Sequence, residues 1–283
     1  LYMMSPLTGI VNNLPTLGRA SVALDKINRL KRELAEQLEN TSDMPVKASI
    51  YPELLEFIEV THRYKREGDD RDFTLGPLNL ILQPGELVFI TGGNGSGKST
   101  LGLLLVGLYC PEGGKIQLNG EVVCDANREN YRQQFSVVFS DFYLFESLLG
   151  LVDDNLDDRA RTYLTRLQLD HKVSVEGGVF STVELSQGQR KRLALVTAYL
   201  EDRPFYVFDE WAADQDPLFK ELFYTTLLAD LKARGKTVVV ITHDDHYFHL
   251  ADRCIRLENG QILESQKARV EQVHATRLNM NEV

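Results

Sequence analysis

The sequence has few cysteines, and none of them is spaced for a metal site or a local disulfide. Cys110, Cys124 and Cys254 are the only three in 283 residues, and no C-x-x-C pair occurs. An odd, scattered set argues against a disulfide framework and against a zinc site, and it is typical of a reducing compartment. We expect all three to be buried and to act as small hydrophobic residues.

The sequence also lacks a long uninterrupted apolar run. Residues 1–18 carry no charge, but prolines and glycines interrupt them. A membrane-spanning helix needs about 20 mainly apolar residues, so this stretch is too short to be a full span. It has no basic leading region and therefore does not resemble a signal peptide. The stretch fits the last piece of a span that begins upstream.

Basic charge is in deficit. The chain has 31 Lys and Arg residues against 41 Asp and Glu residues, which gives a formal net charge of −10. An acidic surface repels phosphodiester backbones, so a nucleic-acid role would need a local basic patch. We therefore expect no nucleic acid among the partners, and we expect local features to hold any anionic ligand.

The order of the apolar runs predicts an α/β domain after a helical lead. Leucines at helical spacing predict an amphipathic helix from Thr16 to near Asn40, followed by a linker over 41–51. Beyond residue 55, short apolar or β-branched runs alternate with helical stretches, and 145–201 is expected to be mostly helical. This alternation is typical of a mainly parallel sheet, whose ligands lie at the carboxyl ends of the strands.

A glycine-rich segment between a predicted strand and a predicted helix matches the phosphate-binding pattern G-x-x-x-x-G-K-[ST] in full. Its backbone N–H groups can surround phosphates, the lysine supplies a point charge to the β- and γ-phosphates, and the serine hydroxyl can bind Mg²⁺. The candidate nucleotide-binding residues here are Gly92, Gly93, Asn94, Gly95, Ser96, Gly97, Lys98, Ser99 and Thr100.

Two acids follow an apolar run at the end of another predicted strand. The run 205–208 is followed by Asp209 and Glu210, and adjacent residues on a strand point to different sides. Asp209 is expected to hold Mg²⁺ through a water molecule, and Glu210 to polarise the attacking water. His243 ends a further strand and can donate to a γ-phosphate. The candidate catalytic residues are Glu210, His243 and Lys98.

Together these motifs resemble the nucleotide-binding domain of ATP-binding cassette (ABC) transporters. The segment Leu185-Ser186-Gln187-Gly188-Gln189 resembles the signature L-S-G-G-Q, with Gln187 replacing one glycine. The resemblance implies that the signature of one subunit caps the γ-phosphate bound by the other, in a head-to-tail dimer around two ATP molecules. It assigns nucleotide contacts to Ser186, Gln187, Gly188 and Gln189. It also implies that Tyr64 stacks on adenine and that Asp216 crosses the dimer interface.

Some residues depart from the family pattern. Where the family usually has a glutamine that reaches the metal, this chain has Ser140, and a water or Asp141 could take over that contact. Trp211 and Ala212 replace the usual proline and threonine after the catalytic glutamate. The segments 139–141, 210–217 and 243–248 resemble a narrower branch, the cyclic-peptide and siderophore (pyoverdine-type) exporters.

The resemblance implies a P-loop ATPase core with a mixed, mainly parallel sheet, an N-terminal antiparallel part and an inserted helical subdomain at about 145–202. Residues 1–45 would be the end of a transmembrane domain with a linker helix, and 46–283 the nucleotide-binding domain. The implied function is ATP hydrolysis that drives an exporter. Mg²⁺ would be held by Ser99, Asp209 and Ser140. The transmembrane domain would be its partner and the cytoplasmic face of the bacterial inner membrane its location.

Three alternatives follow from the same residues. A soluble ABC ATPase that acts on DNA or ribosomes would need a long insertion or a second cassette. A regulatory domain without turnover is supported only by Ser140 and Gln187. The run from His243 to His249 looks like a metal cluster, but a change from strand to helix within it argues against convergence of its side chains.

Overall fold

The computed structural model describes residues 24–28, 53–64, 73–148, 150–151 and 155–267. The chain divides into two compact units, residues 1–43 and 44–283. In the first unit, the described residues 24–28 form a helical segment, α1, whose side chains are exposed. The remainder of the amphipathic helix predicted from Thr16 to Asn40 lies outside the described residues, and so does the linker over 41–51. No helix in the described part of the chain combines the length and apolarity that a membrane span requires.

The second unit is built on a six-stranded, mainly parallel sheet. Its spatial order is β12-β11-β3-β10-β9-β6, and only the β11–β12 pair is antiparallel. The strands are β3 (Leu87–Thr91), β6 (Phe135–Val138), β9 (Phe205–Asp209), β10 (Thr237–Ile241), β11 (Arg253–Glu258) and β12 (Gln261–Lys267). The central strands are apolar almost throughout because helices or other strands cover both faces. The predicted α/β class with a mixed, mainly parallel sheet is confirmed.

A four-stranded antiparallel sheet, in the order β2-β1-β4-β5, lies at the N-terminal side of this unit in sequence. Its strands are β1 (Leu55–Tyr64), β2 (Phe73–Leu82), β4 (Gly113–Leu118) and β5 (Glu121–Val122). In β2, buried and exposed residues alternate from Leu78 to Leu82, as expected for a sheet with one face in the core. This sheet is the predicted antiparallel part, and its β1–β2 edge brings Tyr64 next to Phe73.

The helices connect these strands and cover the sheet. They are α2 (Lys98–Leu105), α3 (Arg128–Arg132), α4 (Leu156–Arg166), α5 (Gln187–Glu201), α6 (Pro217–Leu222) and α7 (Leu228–Ala233). A π-helical turn over Phe223–Leu227 joins α6 to α7. The prediction that residues 145–201 are mostly helical was only partly correct. Residues between α4 and α5 form a hairpin, β7 (Val175–Glu176) and β8 (Val179–Phe180), in which Gly177 and Gly178 adopt the positive φ of a tight turn.

Two apolar clusters form the core, and the cysteines lie largely outside them. Cys110 and Cys124 are exposed, and Cys254 is half-buried. The expectation that all three are buried was wrong. Cys110 follows α2 next to a proline, and Cys124 lies in the turn after β5, so both occupy loops on the surface rather than apolar faces of strands or helices.

Candidate functional site

Three neighbouring parallel strands bring the candidate residues to one edge of the sheet. β10 lies between β3 and β9, with Ile241 opposite both Ile90 and Asp209. The three strands therefore end at the same level. The glycine-rich loop follows β3, Asp209 and Glu210 close β9, and His243 follows β10. The carboxyl edge of a parallel sheet is where such folds bind ligands.

The glycine-rich loop owes its path to close backbone packing. Gly92 has φ 146°, and a Cβ added there would lie 2.1 Å from the carbonyl oxygen of Leu257. Only glycine fits this position without a shift of the backbone. Further along the loop, the Ser96 carbonyl accepts a hydrogen bond of 3.0 Å from the N–H of Gly260. The turn between β11 and β12 thus packs against the loop and stabilises it.

Lys98 begins α2 and folds back over the loop. Its Nζ donates to the carbonyl oxygens of Gly92 and Gly93, both at 3.0 Å. Burial lowers the pKa of Lys98, while the negative charges of Glu210 and Asp209 partly oppose that shift. A cation held here by loop carbonyls and faced by two acids is suited to phosphate oxygens.

Asp209 is buried and incompletely satisfied, as a ligand for a cation would be. Burial raises the pKa of Asp209, the charge of Glu210 raises it further, and a hydrogen bond from the Ser99 hydroxyl lowers it. Its Oδ1 is buried without a hydrogen-bond partner within the described chain. A carboxylate and a hydroxyl, both hard oxygen donors, fit Mg²⁺. The residues present therefore suit the metal that the sequence predicts.

Glu210 and His243 face each other across the ends of β9 and β10. The Nε2 of His243 lies 3.2 Å from Oε1 of Glu210. Both side chains are partly open to solvent, with exposed fractions of 40% for Glu210 and 48% for His243. Glu210 has φ 50° and ψ 33°, a left-handed conformation that is uncommon for residues other than glycine. At this separation the two side chains contact each other directly, so an acceptor and a donor lie side by side at the strand ends.

Beyond His243, the other two histidines of the run do not join it. The rings of His246 and His249 have centroids 6.4 Å apart, and the Nδ1 of His249 lies 3.0 Å from the His246 carbonyl oxygen. Among the described residues, no group of three or more His, Cys, Asp or Glu side chains is arranged to hold a metal ion.

The signature segment forms the start of α5. Ser186 is the N-cap of this helix, and Ser186 and Gln189 make a reciprocal capping box. Gly188 allows a close approach, because a Cβ added there would lie 2.9 Å from the Asp214 carbonyl oxygen. The Nε2 of Gln187 donates to Asp214 Oδ2 at 3.3 Å. The segment therefore touches the loop that follows Glu210 in the same chain.

The loop 210–216 is held by side chains from α5. Arg192 lies 2.5 Å from Asp216 Oδ2, and Asp216 caps α6 by accepting the N–H of Phe219 at 2.9 Å. Trp211 is buried, stacks on Phe223 with ring centroids 4.3 Å apart, and donates its indole N–H to the Lys191 carbonyl. Asp216 is thus fixed in place with its side chain half-exposed.

Tyr64 borders a cleft beside the glycine-rich loop. The cleft is about 190 Å³ in volume, and Phe73, Gly97, Lys98 and Thr100 are among its walls. Tyr64 is 45% exposed, so part of its side chain is accessible to a ligand in the cleft. The place of Phe73 in this cleft was not predicted from the sequence. The signal that could have found it is the strand pairing, which places Phe73 opposite Tyr64.

Ser140 and Asp141 lie just beyond the end of β6, and both are exposed. Burial and the charge of Glu210 raise the pKa of Asp209 most, and the Asp141 carboxylate raises it further. Ser140 and Asp141 both stay candidates for the further metal contact.

Residues 75–213 match the ABC transporter family. The chain is 46% identical over 282 residues to the ATP-binding protein SyrD of Pseudomonas syringae pv. syringae. The matched region covers 96% of this chain and 50% of SyrD. It is 32% identical over 228 residues to the ATP-dependent lipid A-core flippase of Alkalilimnicola ehrlichii, over 75% of this chain and 37% of the flippase. The chain thus spans half the length, or less, of these two relatives.

Solved structures share the fold. A bacterial Atm1-family ABC exporter with ATP bound superimposes with a TM-score of 0.70 at 21% identity, over 93% of this chain and 48% of that one. A dimeric, post-hydrolysis structure of the ATP-binding cassette MJ0796 with ADP and Pi gives a TM-score of 0.65 at 26% identity, over 76% of this chain and 99% of that one.

Proposed function

The chain belongs to the ABC transporter family, and from that premise we propose that it is the ATP-binding and ATP-hydrolysing motor domain of an exporter. The observation that carries the proposal is the meeting of Lys98, Asp209, Glu210 and His243 at the ends of three adjacent strands. These residues supply a phosphate contact, a metal ligand, a base and a donor, which are the parts that phosphoryl transfer to water needs.

ATP binding in this proposal uses two separate features of the site. The N–H groups of the loop 92–99 and the ammonium of Lys98 hold the phosphates, while the ring of Tyr64 covers the adenine. Ser99 and Asp209 would hold Mg²⁺, with Ser140 or Asp141 as a further ligand. The metal supplies neutralisation of the charge that develops on the phosphate oxygens. The unpartnered, buried Oδ1 of Asp209 supports this assignment.

Hydrolysis in this proposal is an in-line attack of water on the γ-phosphate. Glu210 accepts a hydrogen bond from that water and orients it, and His243 donates to a γ-phosphate oxygen. Because the Glu210 carboxylate and the His243 ring lie 3.2 Å apart, the acceptor and the donor can act on the water and the γ-phosphate of the same ATP. Catalysis then comes mainly from position and charge, which is usual for phosphoryl transfer.

We further propose a head-to-tail homodimer around two ATP molecules. The signature residues Ser186, Gln187, Gly188 and Gln189 would cap the γ-phosphate bound by the other copy, and Asp216 would cross the interface. The N-terminus of α5, with its capping Ser186 exposed, supports this role because backbone N–H groups at a helix N-terminus favour anions.

The proposed cargo is a cyclic peptide or peptide siderophore, moved by a transmembrane domain at the cytoplasmic face of the bacterial inner membrane. The motifs of 139–141, 210–217 and 243–248 support that branch, and the 46% identity to an ATP-binding protein of Pseudomonas syringae supports a bacterial setting. In cells that make such a peptide, Glu210→Gln in the complete transporter is expected to leave the peptide inside. Unchanged secretion would count against this cargo.

Phosphate release tests the proposed activity most simply. The wild-type chain is expected to release phosphate from ATP only with Mg²⁺, and Glu210→Gln is expected to lower the rate by about 10²–10⁴-fold while ATP affinity stays unchanged. Glu258→Gln, an exposed acid on β11 outside the site, serves as the matched control. Equal turnover of the wild type and Glu210→Gln would remove Glu210 from the mechanism.

Size-exclusion chromatography tests the proposed dimer. Glu210→Gln traps the ATP-bound state, so this variant is expected to elute as a dimer with Mg-ATP and as a monomer without it. Ser186→Arg in the same background places a bulky cation at the proposed cap and is expected to abolish the shift. A dimer that forms equally well without nucleotide would contradict an ATP-dependent interface.

A further inference from the structure

One lysine of the helix that follows the signature is buried. Lys191 lies on α5 with its side chain only 2% exposed, whereas the adjacent Arg190 is exposed. A buried ammonium is costly unless it is paired and hydrogen-bonded. The sequence shows only a basic run, Arg190-Lys191-Arg192, and does not distinguish the buried member from its neighbours.

Lys191 satisfies its ammonium on the loop that carries the catalytic carboxylate. Its Nζ lies 2.7 Å from Asp214 Oδ2 and donates to the Glu210 carbonyl oxygen at 2.9 Å. In return, its own carbonyl accepts the indole N–H of Trp211 at 2.9 Å. One residue of α5 therefore contacts Glu210, Trp211 and Asp214.

These contacts fix the backbone on both sides of the Glu210 side chain. The N–H of Glu210 donates to the Ile241 carbonyl at 3.0 Å, and its carbonyl accepts from Lys191. Glu210 adopts a left-handed conformation with φ 50°, which is strained for a residue with a side chain. Such a conformation persists only when its surroundings hold it, and it decides where the carboxylate points.

We propose that Lys191 is a positioning residue for ATP hydrolysis: its ammonium holds Glu210 in the conformation that aims the carboxylate at the attacking water. The inference rests on the proposed function, because it assigns a device to the same reaction. The Lys191 ammonium is buried and bonded to the loop 210–216, so its effect on the reaction passes through that loop and the Glu210 that it carries.

The same contacts connect two parts of the site that serve different nucleotides in the proposed dimer. Asp214 pairs with Lys191 and also accepts from Gln187 of the signature segment at 3.3 Å. The signature segment would cap the nucleotide of the other copy, while Glu210 acts on its own. A shift of the signature segment would therefore change the position of Glu210 through Asp214 and Lys191.

The test compares Lys191→Met with Arg190→Met in the full chain. Methionine keeps the length and apolar stem of Lys191 and removes the ammonium. Lys191→Met is expected to lower kcat for Mg-ATP by about 10- to 100-fold, because a small misplacement of a catalytic group costs that much. KM and ATP affinity are expected to stay within about twofold, since no ground-state contact is lost. Arg190→Met, an exposed change on the same helix, is expected to keep wild-type kcat.

Thermal unfolding separates positioning from mere structural support. Asp214 is 41% exposed, and the Glu210 carbonyl still accepts from the N–H of Ala213 at 3.3 Å, so Lys191→Met leaves no buried charge behind and its Tm is expected to stay near that of the wild type. Asp214→Asn instead leaves the buried ammonium without its charge partner and is expected to lower Tm more. Asp214→Asn keeps the contact to the Glu210 carbonyl, so its kcat is expected to fall less than that of Lys191→Met.

The results that overturn the inference are distinct from those that overturn the proposed function. Wild-type kcat in Lys191→Met, with Glu210→Gln inactive, rejects the role of Lys191 and leaves the ATPase intact. If the Lys191→Met chain fails to fold, or if its KM rises while its kcat falls, Lys191 has a structural role and the positioning role is rejected. A wild-type chain that releases no phosphate rejects both.

Discussion

The two loops that form the candidate site are held in different ways. The loop 92–99 is fixed by contacts to backbone atoms: Gly92 packs against the Leu257 carbonyl, the N–H of Gly260 donates to the Ser96 carbonyl, and Lys98 donates to carbonyls of the same loop. The loop 210–216 is fixed by side chains of a distant helix, with Lys191 and Arg192 bonded to it. The first loop depends on close backbone packing, which includes contacts with residues 257 and 260, and the second depends on side chains of α5.

This difference assigns different duties to the two loops. A backbone-held loop is a stable cradle for a ligand that must bind tightly in every cycle. A loop held by side chains of α5 changes when that helix moves, so it can gate the chemistry. Substitutions in the first loop should therefore affect folding or ATP affinity, and those around the second should affect turnover.

The largest effect on stability is expected for Gly92→Ala. The added Cβ would lie 2.1 Å from a backbone carbonyl at φ 146°, so the backbone must move. We expect a loss of roughly 2–5 kcal/mol in the free energy of unfolding, measured by urea titration. Gly93→Ala is the matched control, because a Cβ there meets nothing within 4 Å. Equal losses at the two positions would contradict a loop fixed by local backbone packing.

A smaller effect, on ATP affinity, is expected for Lys98→Ala. The change removes the ammonium that the loop presents to the phosphates, and a hydrogen bond to a charged group contributes about 1.5–3 kcal/mol. Affinity for Mg-ATP should fall by roughly 10- to 100-fold in a nucleotide titration. The exposed Lys115 on β4 offers a control, since Lys115→Ala removes the same charge far from the loop in sequence and should bind normally. Wild-type affinity in Lys98→Ala would show that phosphates bind elsewhere.

The smallest effect concerns the pH dependence of stability. Burial, and then Glu210, raises the pKa of Asp209 above its unfolded value. Its favourable contribution to folding is therefore full below the unfolded pKa and is lost as pH rises through the folded pKa. Without nucleotide, Asp209→Asn should gain stability relative to the wild type over that rise, as followed by Tm at several pH values. A difference between the two chains that does not vary with pH would contradict this shift.

The fold and the chemical parts of the site could be predicted from the sequence because their signals are local. The pattern 92–99 lies between an apolar strand and a helix, and Asp209 and Glu210 directly follow another apolar strand. Parallel strands end at one edge, so the convergence of these motifs follows from the fold class. The mainly parallel sheet was predicted in this way, whereas the antiparallel part was predicted from the family resemblance.

The remaining features depend on contacts between residues distant in sequence. Nothing in the run 190–192 shows that Lys191 is the buried member, because burial depends on how α5 lies against the loop 210–216. The position of Phe73 beside Tyr64 depends on the register of β1 and β2. The β7–β8 hairpin was not predicted because the helical pattern around it outweighed the signal of its turn glycines. The cysteines were misjudged because residue type alone does not place them on a core face.

The measurement that tests the account most directly is a single-turnover experiment on three chains, with enzyme in excess over ATP and Mg²⁺ present. We expect the wild type to bind ATP and convert it to ADP, Glu210→Gln to bind ATP and retain it unchanged, and Lys98→Ala to bind much less ATP. Conversion of bound ATP at the wild-type rate by Glu210→Gln, or full binding by Lys98→Ala, would contradict the division of binding and chemistry between the two loops.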